Sequence, residues 1–388
     1  MSEGTAISVG TEDRLRLAFL GDPNSVHTRR WIHFFAERGH HVTLLVPRDW
    51  PVEPGLLPSI EIERFIRFAA RGRFPPASYL RGRWSLRRAV ARVRPDILNA
   101  HYLTQNGWHA WISGFHPYVV TLWGSDVFTT PREARLFAAL GRVSLRAADM
   151  VMVNSEALMR EAFAIGARRD RMEMVQWGVD LTQFRPGPDP AALRARLGLR
   201  GRSVVFSPRS IQPLYRHRVI LQALAELPAD VVVVMLLHGS RVDELEAIRR
   251  QIDALGLAER VVMVPEIADA EMPDYFRLAD VVVSVPASDS TPATVLEALA
   301  SGLQVVAADL PSMREWLADL DPSLLVPVDD PKATAAALAR ALGRSRGERA
   351  ELGRRARSIV ERRADQARSL SRVETLYMQL AGRSQRPR

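Results

Sequence analysis

The chain opens on a short apolar-rich run, Arg14 to Leu20, that stops at Gly21-Asp22-Pro23. Such a run, bounded by turn formers, predicts a buried strand followed by a turn. Ser25 stands where it would cap the next helix, whose Trp31, Phe34 and Phe35 share one broad face and which ends at Gly39. Apolar residues return from His41 to Val46 and predict a second strand. Strand, helix, strand argues for a parallel sheet. The alternation continues with strands predicted at Asp96–Ala100, Tyr118–Leu122, Asp149–Val153 and Met172–Trp177, and helices at Tyr79–Arg92 and Pro131–Ala147. Asp180–Pro190, rich in Pro, Gly and Asp, reads as an interdomain linker.

A second series follows. Strands are predicted at Ser203–Ser207, Asp230–Leu237, Arg260–Val264, Asp280–Val285 and Gln304–Ala307. Helices are predicted at Arg218–Glu226, Asp243–Leu255, Glu271–Leu278 and Thr294–Ala300, and from Pro331 to about Gly382 the pattern is helical and arginine-rich. Two doubly wound α/β domains of similar size are therefore expected, facing a cleft. Ligands of such sheets bind beyond the carboxyl ends of the strands, so the chemistry should sit on post-strand loops of both halves.

Length and composition narrow this picture. A chain of 388 residues suits two domains. With no cysteine, disulfides, thiolate–zinc sites and cysteine nucleophiles are excluded. The start lacks a charged segment followed by an apolar core, and no apolar run reaches the ~18–20 residues of a membrane span. A cytoplasmic protein is expected. Basic residues exceed acidic ones by 53 to 44, a net charge of +9, and Lys332 is the sole lysine. So arginine-rich a surface favours anionic partners: nucleic acid, nucleotides or an acidic membrane face. No G-x-G-x-x-G follows the first strand, which disfavours a nicotinamide dinucleotide, and no Walker-type phosphate loop exists. No two histidines have a convincing metal-ligand spacing; His101 and His116 lie in or near post-strand loops.

The most informative stretch is Pro286 to Gly302, PASDSTPATVLEALASG. A predicted strand ends at Val285, and a polar loop, Ser288 to Pro292, leads into an apolar helix. Pro292 suits the first turn of that helix. Free N–H groups at a helix start attract phosphate. Asp289 lies in the loop and Glu297 two turns into the helix; a carboxylate takes two hydroxyl donors, which fits a sugar or ribose diol. The plain alternative is a helix-terminal charge at Asp289 and a solvated Glu297.

These residues resemble the E-x7-E element of retaining GT-B glycosyltransferases, above all glycosyltransferase family 4 (group 1). Other pieces match in order: Trp31 to Pro47 (WIHFFAERGHHVTLLVP), Thr121–Asp126 (TLWGSD), Val175–Phe184 (VQWGVDLTQF) and Ala279–Asp280. The resemblance spans residues 14–380 and implies two Rossmann-like domains, residues 1–186 on the acceptor side and 187–364 on the nucleotide-sugar side. It also implies that residues 365–388 form a helix crossing back to the first domain, with a tail. It implies transfer of a sugar from a nucleotide-diphosphate donor, a UDP- or GDP-sugar, to a hydroxyl acceptor, with retention and without a metal or further cofactor. Lipid-linked acceptors and polysaccharide precursors are the acceptor classes it brings. Arg209, Asp289 and Asp126 are implied as catalytic. Glu297, Arg209, Ser290, Thr291, Ala293, Gly21, Arg216, Pro265 and Ile267 are implied as donor contacts, and Trp123, Ser125 and His101 as acceptor or sugar contacts. Four positions depart from the family pattern: Trp123 replaces a histidine, Tyr215 a lysine, Asp289 a glutamate, and Ser290-Thr291-Pro292 a G-F-G loop. Pro292 removes a backbone phosphate donor. Asp126 as a turn or cap carboxylate, His101 as an ordinary core residue and Asp180 as a structural turn residue stay open. So do two rival activities, a non-catalytic GT-B-like accessory protein and a sugar-nucleotide epimerase.

One further stretch stands out. Ten arginines lie between Arg64 and Arg94, at 64, 67, 71, 73, 81, 83, 87, 88, 92 and 94, interleaved with Phe65, Phe68, Phe74, Tyr79, Leu80 and Trp84. Leu86, Val90 and Val93 have the spacing of a helix packed on a sheet. The belt is read either as a solvated basic face or as a surface for an anionic membrane, which would place the protein peripherally on the inner face. Nucleic acid is not expected, since no recognised module is present.

Overall fold

The computed structural model describes residues 14–67, 76–128, 135–237, 239–265, 267–290 and 292–384. Phe68, Arg71, Arg73, Phe74, Thr291 and residues 131–134 lie outside the described residues. The chain divides into two units: residues 1–175 with 369–388, and residues 176–368.

Unit 1 holds β1 (Arg16–Leu20), β2 (His41–Pro47), β3 (Ile60–Phe65), β4 (Ile97–His101), β5 (Tyr118–Thr121), β6 (Met150–Val153) and β7 (Met172–Met174). All pair in parallel in the order β3-β2-β1-β4-β5-β6-β7. Unit 2 holds β8 (Ser203–Ser210), β9 (Val231–Leu236), β10 (Val261–Val264), β11 (Val281–Ser284), β12 (Val305–Ala308) and β13 (Leu325–Val326). Its parallel order, β10-β9-β8-β11-β12-β13, repeats that of unit 1. Each sheet is of the doubly wound type, with the winding reversing beside its first strand.

The strands are apolar on both faces because both faces are covered. In unit 2, Val204, Phe206, Val232 and Val234 enter one buried cluster. Their neighbours Val205, Val231, Val233 and Met235 enter another. In unit 1, Ala18, Leu20 and Val120 line one face. On the other, Phe19 meets Phe35, which stacks on Tyr377 with centroids 5.4 Å apart. Tyr377 belongs to the last helix, Gln366–Ser384, most of which clusters with unit 1 as the sequence implied. Its Glu374 is buried between Arg38 and His40, each at 2.8 Å, and its Tyr377 hydroxyl sits 2.5 Å from Asn99 Nδ2.

Two strands escape sequence reading. β3 alternates charge with apolar residues at a sheet edge, and β13 spans two residues. The helix Glu156–Ile165 was also not foreseen; Ser155 caps it by accepting from the Leu158 amide at 3.1 Å. The domain boundary differs as well. The sequence assigned residues up to 186 to the first domain, yet Val179 and Phe184 are buried in the unit 2 core. Val179 pairs with Asp365, and a Cβ on Gly178 (φ +74°) would lie 2.5 Å from Gln366 Cα. Only glycine tolerates that approach. Asp180 Oδ1 accepts from Thr182 N, Thr182 Oγ1 and Gln183 N, a turn role. Asp280 also serves folding, accepting from Val204 N at 2.9 Å and Arg349 at 3.1 Å.

Among the described residues no helix is long and apolar enough to cross a membrane, and no three metal-ligating side chains converge.

Candidate functional site

In unit 2 the winding reverses between β8 and β11. Open α/β sheets bind ligands there, beyond the strand ends. β8 ends with Arg209 and Ser210, and the segment after β11 carries Asp289 and Ser290. Arg209 Nη2 donates to Asp289 Oδ2 at 2.8 Å, both side chains largely enclosed at 15% and 12% exposure. Nη1 lies 3.4 Å from Thr294 Oγ1 in the helix Ala293–Ala300, while the buried Nε has no hydrogen-bond partner among the described residues. Tyr215 closes the face of the guanidinium, 4.0 Å from its ring centroid. Asp289 Oδ1 accepts from the Ser290 amide at 2.8 Å, and its carbonyl accepts from Ser312 Oγ at 2.9 Å. The sequence expected Arg209 on a diphosphate and Asp289 at a sugar; the structure joins the two directly.

Glu297 is buried, which overturns the solvated alternative. Pro292 precedes the helix as its cap residue and Ala293 opens it. Pro265 and Ile267 follow β10, separated from β8 by β9. Arg216 is engaged elsewhere: its Nε lies 2.9 Å from Asp329 and its Nη1 donates to Pro213 O at 3.0 Å. One residue here went unread in the sequence. His217, buried at the start of the next helix, contacts Arg209 O at 3.1 Å and Ser207 Oγ at 3.3 Å through Nε2. Burial lowers its pKa to about 4, so the neutral ring braces the Arg209 backbone. Nothing but its place seven residues past β8 would have flagged it.

Unit 1 reverses between β1 and β4. Gly21 follows β1, and a Cβ there would stand 2.9 Å from Thr28 and 3.6 Å from His101 Cβ, so only glycine lets the helix start approach. His101 ends β4. Its expected role as a sugar contact is corrected, because it is 3% exposed and edge-on to Phe19, Trp31 and Trp123. Neither ring nitrogen has a hydrogen-bond partner among the described residues, and burial lowers the pKa to about 3. It is a neutral core imidazole. Trp123, half-buried, stacks on His27 with centroids 4.8 Å apart. Ser125 is exposed, its Oγ 2.7 Å from the Tyr102 hydroxyl. His27 and Tyr102 were missed: His27 lies in the first turn of the helix Val26–Glu37 and Tyr102 directly follows β4, and the motif marks neither.

Asp126 also needs correction. It is fully buried and does not reach open space. Its carboxylate accepts from the amides of Leu103 at 2.8 Å, Gly124 at 2.7 Å and Trp123 at 3.1 Å. Burial raises its pKa to about 6, against the downward pull of those N–H groups. The carboxylate thus clamps the loop carrying Trp123 and Ser125 to the segment after β4. That segment is strained, with positive φ at Tyr102 (82°) and Gln105 (66°). His116 stands at the opposite, amino end of β5, 2.6 Å from Asp149.

Two family models match the chain. Residues 16–155 match "Glycosyl transferase 4-like" and residues 191–359 match "Glycosyl transferases group 1". A relative from Nocardia farcinica, D-inositol 3-phosphate glycosyltransferase, is 35% identical over 205 residues, which is 50% of this chain and 45% of that one. The chain spans about half the length of the first curated relatives it matches. Sucrose-phosphate synthase from Thermosynechococcus elongatus superposes with TM-score 0.80 at 19% identity, covering 95% of this chain and 99% of that one. Anabaena HepE in complex with UDP-glucose does so with TM-score 0.76 at 19% identity, covering 93% and 98%. Each unit matches its own glycosyltransferase model, and the chain, with the GT-B fold, belongs to the group 1 glycosyltransferases.

Proposed function

We propose that this chain transfers a sugar from a nucleotide-diphosphate donor to a hydroxyl acceptor, with retention at the anomeric carbon. The observation that carries the reading is the unit 2 switch point. There an enclosed arginine with an unpartnered Nε stands beside the helix that buries Glu297. Arg209 binds and neutralises the diphosphate as its charge grows, and Glu297 takes the ribose hydroxyls. The bond between the anomeric carbon and the diphosphate oxygen breaks, its electron pair leaving with the phosphate. The acceptor oxygen bonds on the same face and its proton passes to the departing phosphate oxygen. Asp289 meets the sugar once the diphosphate has displaced it from Arg209 Nη2. Trp123 and Ser125 offer a stacking face and a hydroxyl to the acceptor, and Asp126 holds their loop. UDP and UDP-glucose bound to HepE support the donor class for this fold.

A thermal-shift screen with UDP, GDP, ADP and their sugars tests the donor, since a ligand of the native state raises apparent stability. Proton NMR of the product from the donor that binds gives the anomeric configuration. Inversion, or a new sugar nucleotide formed without acceptor, overturns the reading.

The acceptor is proposed to be presented at a membrane. In the helix Pro76–Val93, Leu86, Val90 and Val93 face inward, while Leu80 and Trp84 are 66% and 59% exposed. Arg81, Arg83, Arg87 and Arg88 surround them, and Arg88 Cζ lies 3.6 Å from the Trp84 ring centroid. Arg64, Arg67 and Arg92 are instead spent on Trp50 O, Asp49 and Glu63. Wild-type chain should sediment with anionic vesicles at low salt and less at high salt. Replacing those four exposed arginines with glutamine should abolish this and leave UDP binding intact. Indifference of the wild type to anionic vesicles makes the face a solvated one.

A further inference from the structure

We propose that Tyr215 is a positioning residue for the donor diphosphate, acting through Arg209. This rests on the donor reading above and deepens it. The family pattern has a lysine where this chain has Tyr215. The structure puts the tyrosine to a different use: its ring covers one face of the Arg209 guanidinium at 4.0 Å.

A guanidinium at a strand end has several rotamers and loses entropy when fixed. Here Asp289 holds Nη2 at 2.8 Å, Thr294 approaches Nη1 at 3.4 Å, and Tyr215 supports the plane. The ring quadrupole attracts the cation, more so where water is thin. Stacking uses the face and leaves the edge N–H groups for a planar, two-pronged grip on phosphate. The buried Nε has no hydrogen-bond partner among the described residues.

Tyr215 is itself held. It ends the short turn Pro213–Tyr215, and its amide donates to Gln212 O at 3.0 Å. The Ala287 amide donates to Leu214 O at 2.9 Å, tying this turn to the segment that carries Asp289. Pro213 restricts the turn further. The ring therefore keeps register with both sides of the switch point. An arriving diphosphate repels the Asp289 carboxylate and competes for Nη2. The ring is neutral, so its contact survives that exchange and keeps Arg209 aimed while the carboxylate is released.

The test is calorimetric titration of UDP, GDP and ADP into wild type, Y215F, Y215L, R209A and the R209A/Y215L double variant, with melting temperatures to check folding. Y215F keeps a π face and should bind within about threefold of wild type. Y215L should bind about 2- to 30-fold more weakly with its melting temperature kept. In the double variant the tyrosine change should cost nothing beyond R209A, because its partner is gone. If Y215L does not fold, Y215M supplies similar bulk without a ring. Wild-type affinity in Y215L, or additive losses in the double variant, overturns the proposal while R209A alone still upholds the donor reading. Failure of wild type to bind any of the three diphosphates overturns the donor reading and this proposal with it.

Discussion

Unit 1 and unit 2 reverse their winding at the same point of the same strand order, between β1 and β4 and between β8 and β11. The residues placed there differ in kind. Unit 2 places an ion pair there, Arg209 with Asp289 at 2.8 Å, and buries Glu297 in the helix that follows. Unit 1 neutralises its polar groups. His101 is uncharged among aromatic rings, and Asp126 spends its oxygens on three backbone amides. Trp123 and Ser125 turn a ring and a hydroxyl toward solvent after β5, while Asp22 is exposed after β1. One topology therefore supplies two chemistries. A charged rim suits a diphosphate, whose charge must be met by fixed cations. A neutral, aromatic rim suits a polyol, whose faces stack and whose hydroxyls need few partners.

The sharpest way to break this contrast is to remove one anchor from each side. R209A should weaken UDP binding by roughly 10- to 150-fold, the worth of a charged hydrogen bond, whereas W123A should leave it within about twofold. Calorimetry with both variants decides it, and equal losses would show that the division of labour is not real.

A second contrast concerns what each carboxylate supports. D126N turns an amide donor toward backbone N–H groups, so unfolding in urea should show a loss of about 1–3 kcal/mol. No loss would mean that the clamp does not bear on unit 1 stability.

Acid should also separate the units. The ring pKa values of His101, His109 and His217 fall to about 3, 4 and 4 on burial, below the ordinary 6.5. The unfolded chain therefore takes up protons that the folded chain refuses. The stability these rings contribute is full above pH 6.5 and is lost as pH falls toward 4, about 2 kcal/mol per histidine by pH 5. Asp126 runs the other way. Its folded pKa of about 6 exceeds the ordinary carboxylate value of 3.8, so its contribution is lost as pH rises through 6. Comparing wild type with H101L between pH 7 and 5 isolates the histidine: the variant should lose less on acidification. Two of the three rings lie in unit 1, so its amides should lose more hydrogen-exchange protection at pH 5 than those of unit 2. Equal loss in both units would remove this difference.

Much of the fold was legible in the chain itself. Runs such as Val204–Phe206 and Val231–Met235 are apolar at every position, because parallel strands buried on both faces have no solvent side to mark. Glycines at turns and prolines at helix starts punctuate them. β3 was not legible because Glu61 and Glu63 on a sheet edge read as surface, and β13 is too short to carry a pattern. The boundary at 175/176 depends on Val179 meeting Asp365, a pairing across nearly the whole of unit 2 that no local spacing announces.

For the site, the sequence by itself determined which residue types stand at the strand ends. Arg209, Asp289 and Glu297 follow from strand, loop and helix order, since those fix which side chains cluster at a switch point. Tertiary structure alone decided what each one touches. Whether Asp126 faces a ligand or a ring of amides depends on how the segment after β4 folds back, through residues 23 positions away. Whether Tyr215 replaces a lysine or braces an arginine depends on a rotamer and a turn. Charge, polarity and chain order are properties of the sequence. Desolvation and contact are properties of packing, and they convert a buried carboxylate into a clamp and enclose an arginine between Asp289 and Tyr215.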